Sequence, residues 1–303
     1  MKTWQYASLV FLGGCCFGIL STFVKLAYSA GFSIAEVTGG QFLIGTFLIG
    51  FLALFSKRKE ISIGQRVRFV LAGIPMGLTG IFYYQSLQWL DASLAIIFLF
   101  QFIWIGSFLE WIWERKKPTK PKLLSIMVLL IGSVLAAGIF TKGANSFSIL
   151  GAGWASAAAV MFASFIYLSG TVGKSVPPVQ RSAWFSVGGL LAVFCIYPPT
   201  FIIEMSILPE LIPYVLVLGL FGVALPPLLF SVGMPHVGAG LGTILSSSEL
   251  PVAIILSTIV LAEPVSGGQW IGVLTILVGI AIGNKKMNRV ISKEEAHTSD
   301  MSI

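Results

Sequence analysis

Charges are placed along this chain so as to leave a series of uninterrupted apolar stretches of about 20 residues, the length that crosses the hydrocarbon core of a bilayer as one helix. Such stretches cover residues 6–27, 33–55, 69–90, 92–111, 123–140, 150–170, 179–202, 211–233, 238–260 and 268–283. Strands are excluded because unpaired backbone groups are costly in hydrocarbon and the runs are continuous rather than alternating. Only 10% of the 303 residues are charged, against about 25% in an ordinary soluble domain. The pattern predicts an all-α polytopic membrane protein with ten transmembrane helices.

The charges also orient it. With the N-terminus in the cytoplasm and the connections alternating between faces, 17 of the 19 basic residues fall on the cytoplasmic side, the exceptions being Lys25 and Lys142. Glu36, Asp91, Glu204, Glu210 and Glu263 gather on the other side. This is the positive-inside asymmetry, and it predicts a plasma (inner) membrane protein with both termini cytoplasmic. The net charge of +7 then belongs to membrane flanks and not to a nucleic-acid surface. Lys2 ahead of the first stretch and Ser29-Ala30 after it faintly resemble a signal peptide, but more membrane follows, so the stretch is expected to remain as an anchor. The polar tail, residues 285–303, has too little apolar content to fold alone and is expected to be a solvated cytoplasmic tail. Cys15, Cys16 and Cys195 lie inside apolar stretches, and His236 and His297 are the two histidines of the chain. Neither a disulfide framework nor a metal-ligand spacing is available, and no cofactor is expected.

The sequence contains a weak internal repeat. VLAGIPMGLTGIFYYQSL, starting at Val70, aligns with VLGLFGVALPPLLFSVGM, starting at Val217, and Asp91-Ala-Ser-Leu aligns with Gly238-Ala-Gly-Leu. Gly132 aligns with Gly279 at the same offset of 147. Residues 1–142 and 143–284 then hold five spans each. Five is odd, so the second copy enters the membrane from the opposite side. Two inverted five-helix repeats are expected, as in secondary transporters whose halves rock about a midplane site.

Four segments carry a family resemblance: GGCCFGILSTFVKLA in the first span, SLQWLDASLAII entering the fourth, WERKKPT after it, and SSSELPVAIILSTIVLAEPVSGGQWIGVLTILVGIAI at the end. They resemble the EamA family of the drug/metabolite transporter superfamily. The resemblance implies ten helices in two inverted halves, a central cavity, and movement, often outward, of small organic solutes such as amino acids. The chain departs from the family where it reads Gln101-Phe102-Ile103 in place of a mid-span Pro, Glu249-Leu250-Pro251 in place of a Glu-Pro pair, and Gln41 in place of an Arg early in span two.

Candidate transport residues follow from the cost of polar groups in hydrocarbon. Glu249 is the one carboxylate expected at the centre of a span, where a charged group must face a cavity, find a partner or hold a proton. It either contacts a substrate cation or switches protonation; a protonated Glu bonded to a neighbouring helix is the structural alternative. Ser247 belongs to the Ser246–Ser248 run just ahead, where Pro251 removes the usual partner of the Ser247 carbonyl. Gln41 and Gln101 lie near mid-membrane and either line a cavity or hold helices together. Tyr84 and Trp104 flank these polar positions and could stack on a substrate or make cation–π contact. The site is expected where span four meets span nine, around Gln101 and Glu249.

The function expected is secondary active transport, with export favoured, of small organic metabolites such as amino acids or other polar or cationic solutes. The partners are a small-molecule substrate, the lipid bilayer and a coupling proton or ion, with no nucleic acid. No GxxxxGK loop ending in Ser or Thr is present to bind a nucleotide. An intramembrane enzyme acting on lipid-linked substrates would call for paired carboxylates or a Ser/His or Cys/His arrangement, and neither is evident. A non-transporting scaffold would leave positions 41, 101 and 249 sealed from water.

Overall fold

The computed structural model describes residues 3–90, 92–138, 148–202, 208–262 and 264–300. Every regular element among them is helical. In order these are α1 (Thr3–Ser29), α2 (Ile34–Phe55), α3 (Ile63–Ser86), α4 (Ala92–Leu99), α5 (Phe102–Glu114), α6 (Lys120–Ala136), α7 (Ile149–Thr171), α8 (Pro178–Ile196), α9 (Leu208–Gly219), α10 (Leu225–Val237), α11 (Ala239–Ser246), α12 (Glu249–Val260) and α13 (Gly267–Asp300). A π-helical turn, Leu220–Ala224, joins α9 to α10 into one long rod.

Among the described residues nine helical stretches are long and apolar enough to cross a bilayer. The stretch expected as the fifth span is α6, whose 17 residues end just short of the undescribed segment 139–147. Lys2, Asp91, Lys142, Glu204 and Glu263, which contribute to the charge reading, lie outside the described residues, as does the expected boundary between the halves at 142/143. The outer surface carries large apolar side chains: Phe55 is 76% exposed, Ile149 82% and Ile259 73%. Water would penalise such a surface and lipid does not, so the chain is an integral membrane protein. Trp4, Trp89, Trp111, Trp113 and Trp270 are all exposed at helix ends, where amphipathic rings sit at the headgroup level.

Local signals set the helix starts. Ser33 and Glu36 form a reciprocal capping box on α2, and Ser62 and Gln65 form another on α3. The second box explains why α3 begins six residues before the apolar run does: a cap starts a helix irrespective of hydropathy. Ser33→Ala should lower stability by about 1 kcal/mol, read as a fall in the detergent-solubilised unfolding midpoint. At the other end the backbone of α13 stays helical through Asp300, where the tail was expected to remain unfolded. Elongating an existing helix avoids the nucleation cost that an isolated polar segment would face.

The two halves interleave. α3 packs on α7 and α8, the first two helices of the second half, while the α9–α10 rod packs on α1 and α2. α2 meets α8, and α6 meets α13, across the centre. Glycines allow the closest crossings: a Cβ at Gly73 or Gly188 would collide with the backbone carbonyl of Phe185 or Val70 on the facing helix, and Gly45 and Gly219 meet in the same manner.

Two faces of the bundle follow from the contacts. Tyr6 stacks on His236 with ring centroids 3.6 Å apart, and Lys59 bonds through its backbone to Gln180, so the start of α1, the α2–α3 loop and the start of α8 share one face, called here the Thr3 face. The opposite, Ser29 face carries the ends of α1, α3 and α6 and the start of α13, where Gln269 Nε2 donates to the Ala136 carbonyl at 3.2 Å.

Candidate functional site

Two spans are broken in mid-course, and at matching places. α4 gives way to α5 around Gln101, and α11 to α12 around Ser247-Ser248. α4 and α11 start at 92 and 239 and end at 99 and 246; α5 and α12 start at 102 and 249; α6 and α13 start at 120 and 267. Each pair is 147 residues apart, the offset seen in the sequence. In this register Glu249 corresponds to Phe102, and Gln101 corresponds to Ser248.

The second break arises from Pro251, which cannot donate, so the Ser247 carbonyl accepts instead from the Leu250 N–H at 3.4 Å. The serines satisfy themselves: Ser246 Oγ donates to the Gly242 carbonyl, Ser247 Oγ to the Thr243 carbonyl at 3.1 Å, and Ser248 Oγ to the Phe11 carbonyl of α1 at 2.7 Å. α1 comes this close because Gly14 lies against Ser246 and Ser248, and Gly18 against Glu249 and Val252. The Gly14-Cys-Cys-Phe-Gly18 motif is thus the groove in which the broken helix lies.

Glu249 opens α12 and faces a cavity of about 300 Å³. That volume is at the small end of the range of about 300–1,000 Å³ typical for small-molecule sites. The walls come from α1, α2, α3, α4, α6, α7, the π-helical turn at Gly222, α12 and α13, and the cavity lies toward the Ser29 face, reaching Lys25, Leu87 and Gln269. A shallower hollow that includes Phe32 and Gln88 shares Tyr28, Tyr84 and Leu87 with it. The lining is largely apolar, with the aromatic rings of Phe17, Phe42, Tyr83, Tyr84 and Phe162 among aliphatic side chains. Glu249 Oε2 is buried and has no hydrogen-bond partner among the described residues. Gln41 is also on the wall, and Tyr84 hydroxyl donates to its Oε1 at 3.5 Å.

The structure therefore gathers Glu249, Gln41 and Tyr84 at one cavity and puts Gln101, Trp104 and Ser247 elsewhere. Gln101 Nε2 donates to the Ile97 carbonyl at 3.1 Å, its Oε1 accepts from Trp104 Nε1 at 2.8 Å, and Trp104 is 43% exposed on the outside of the bundle. Ser247 is fully buried against its own helix. Span four meets span nine at the cavity through Ile96 and Leu99 of α4, but Gln101 is not on the wall, and α1, α2 and α3 face α12 there as well. The reason is rotational: residues one or two apart on a helix face different sides, so depth in the membrane does not fix direction. Lys25, one of the two basic residues expected off the cytoplasmic side, lies on the cavity wall, as do Ser257 and Gln269. The signal available for Lys25 was its position as one of two basic residues on the otherwise acidic side. Trp154, Tyr167 and Trp184 are engaged with Phe82, Trp113 and Arg66 respectively.

Comparison with known proteins agrees with this architecture. The chain matches the EamA-like transporter family twice, over residues 4–138 and 149–284. An uncharacterized transporter, YwfM, of Bacillus subtilis (strain 168) is 24% identical over 198 residues, which is 64% of this chain and 65% of the relative's length. A solved crystal structure, 19% identical in sequence, superposes with a TM-score of 0.72 over 90% of this chain and 97% of its own, a likeness of fold. With both halves matched, this chain belongs to the EamA-like transporter family of membrane transporters.

Proposed function

We propose that the protein is a secondary active transporter that exports small polar or cationic organic metabolites, amino acids among them, by alternating access around the Glu249 cavity. The observation that carries this reading is a carboxylate with an oxygen that has no partner among the described residues, facing a largely apolar space of about 300 Å³ that contains several aromatic rings, at the broken point of a membrane helix. A carboxylate so enclosed favours a ligand that brings a positive charge, either an ammonium group or a proton. Tyr83 and Tyr84 offer ring faces to such a cation. Gln41 supplies an amide beside them.

In this proposal α6 completes ten spans, the halves are inverted copies, and both termini lie in the cytoplasm of a cell with this protein in its plasma membrane. The shared 147-residue register and the exchanged packing of α3 and the α9–α10 rod support the inverted arrangement. The Thr3 face would then be cytoplasmic, and the cavity would open outward. Export is supported by the family resemblance.

Thermal unfolding of the purified protein across a panel of amines, amino acids and organic acids tests the substrate class, because a solute that binds only the folded state raises the midpoint. Stabilisation confined to uncharged or anionic solutes would overturn the cationic reading. Residues off the cavity should matter little: Gln101→Leu and Trp104→Phe should each change proteoliposome flux by less than about twofold, or about 0.4 kcal/mol in the barrier.

A further inference from the structure

Two side chains with opposite charge meet inside the Thr3 face and have no part in the cavity. Glu110, near the end of α5, pairs with Lys122, near the start of α6, and the two side chains are only 12% and 15% exposed. Their charged ends sit over the turn that starts α11: a Cβ at Gly238 would approach Glu110 Oε1, and one at Gly240 would collide with the Lys122 ammonium. Gly238, with φ of +77°, is held in a backbone conformation that L side chains rarely adopt. The pair therefore ties α5 to α6 and packs closely over the α10–α11 turn of the second half.

The register of 147 identifies what occupies the corresponding places on the other face. Glu110 corresponds to Ser257 and Lys122 to Gln269. These two line the open cavity, and their hydrogen bonds go elsewhere, Ser257 Oγ to the Ile254 carbonyl and Gln269 to Ala136 and Ser266. Related positions are thus bonded to each other on the Thr3 face, while on the Ser29 face, where the cavity lies, their hydrogen bonds go to other residues. One pair is charged and the other neutral.

We propose that Glu110 and Lys122 form a one-sided latch, which holds the Thr3 face closed, while the neutral Ser257 and Gln269 give the Ser29 face no equivalent hold. In the absence of solute the protein then rests with its cavity open to the Ser29 face. The inference rests on the alternating-access reading, since a latch matters only if the Thr3 face opens. When it does, α5 and α6 separate from each other as well as from α11, so the Glu110–Lys122 pair breaks, and the two positions then bond elsewhere as Ser257 and Gln269 do now.

The test uses the full-length chain with Cys15→Ala, Cys16→Ala and Cys195→Ser, carrying one reporter at a time. Ser21→Cys reports the cavity, and Thr243→Cys, buried one turn inside the latch, reports the Thr3 face. A membrane-impermeant maleimide is applied to either side of sealed vesicles. With the latch intact, Ser21→Cys should react from the Ser29 face and Thr243→Cys should stay silent. Glu110→Gln or Lys122→Gln should lower the first rate by about fivefold, as the open fraction falls, and make Thr243→Cys reactive from the Thr3 face. The swap Glu110→Lys/Lys122→Glu should restore the original pattern. Glu110→Asp, which keeps the charge and shortens its reach, serves if the neutral variants do not remain monodisperse, and it should shift labelling in the same direction. Unchanged labelling in the latch variants overturns the latch. The charged pair Ser257→Glu/Gln269→Lys separates that failure from the failure of the transport reading. If this pair moves reactivity from the cavity reporter to Thr243→Cys while the latch variants do not, the faces alternate and the latch is wrong. If neither set moves it, alternating access is wrong as well.

Discussion

Glu249→Gln should lower proteoliposome flux of a cationic or zwitterionic substrate by at least about tenfold, equivalent to about 1.4 kcal/mol in the transport barrier, and should flatten the dependence of flux on pH. The substitution keeps the size and the first-turn position of the side chain in α12 while removing both its charge and its capacity to exchange a proton. Because Oε2 has no bonding partner among the described residues, its loss breaks no hydrogen bond in the structure. The protein should fold, and its unfolding midpoint without solute should stay the same or rise, since a buried charge has been replaced by a neutral amide. A variant that transports normally at every pH would show that the carboxylate neither meets the substrate nor carries a proton. Loss of flux together with loss of folded protein would assign Glu249 a structural role.

The second large effect is on assembly of the bundle. Gly73→Val and Gly188→Val should each prevent recovery of monodisperse protein or destabilise it by about 3 kcal/mol or more, at or beyond the upper end of the usual cost of overpacking. At these crossings the obstacle is the facing main chain, the carbonyls of Phe185 and Val70, which no rotamer change can move aside. α3 and α8 would have to separate along their length, and the packing between the halves would go with them. Gly50→Ala and Gly153→Ala are the controls. Their Cβ positions meet nothing within 4 Å. In helices this exchange should be neutral or stabilising by up to about 1 kcal/mol. Equal losses at all four positions would mean that helix flexibility, and not close approach, is what the glycines supply.

How far the sequence could be read differs between the fold and the site. Helical spans were legible because run length and charge position are properties of the chain itself, while helix ends departed from the runs at the Ser62 cap, at Ile196 and along α13. The repeat was legible in outline from Val70 and Val217, and the break points in α4–α5 and α11–α12 then shared the offset of 147. Glu249 stood out because a lone mid-span carboxylate is costly wherever it points. Gln101 and Trp104 gave the same signal of polarity at depth, yet they bond to each other on the outside of the bundle. Lys25 and Gln269 carried no such signal, and the folded chain brings them to the cavity.

The sequence by itself determined that this chain spans a membrane as helices, which of its residues flank the bilayer, and that its two halves share a pattern. Those are consequences of transfer energies, which depend on residue type and on neighbours along the chain. Which polar residues share a cavity, and which face that cavity approaches, was decided only in the tertiary structure. The rotation of each helix is set by where its partners come close, at Gly14, Gly18, Gly73 and Gly188, and by where Pro251 breaks the span beside Glu249. Those contacts join residues far apart in sequence, so no local pattern encodes them.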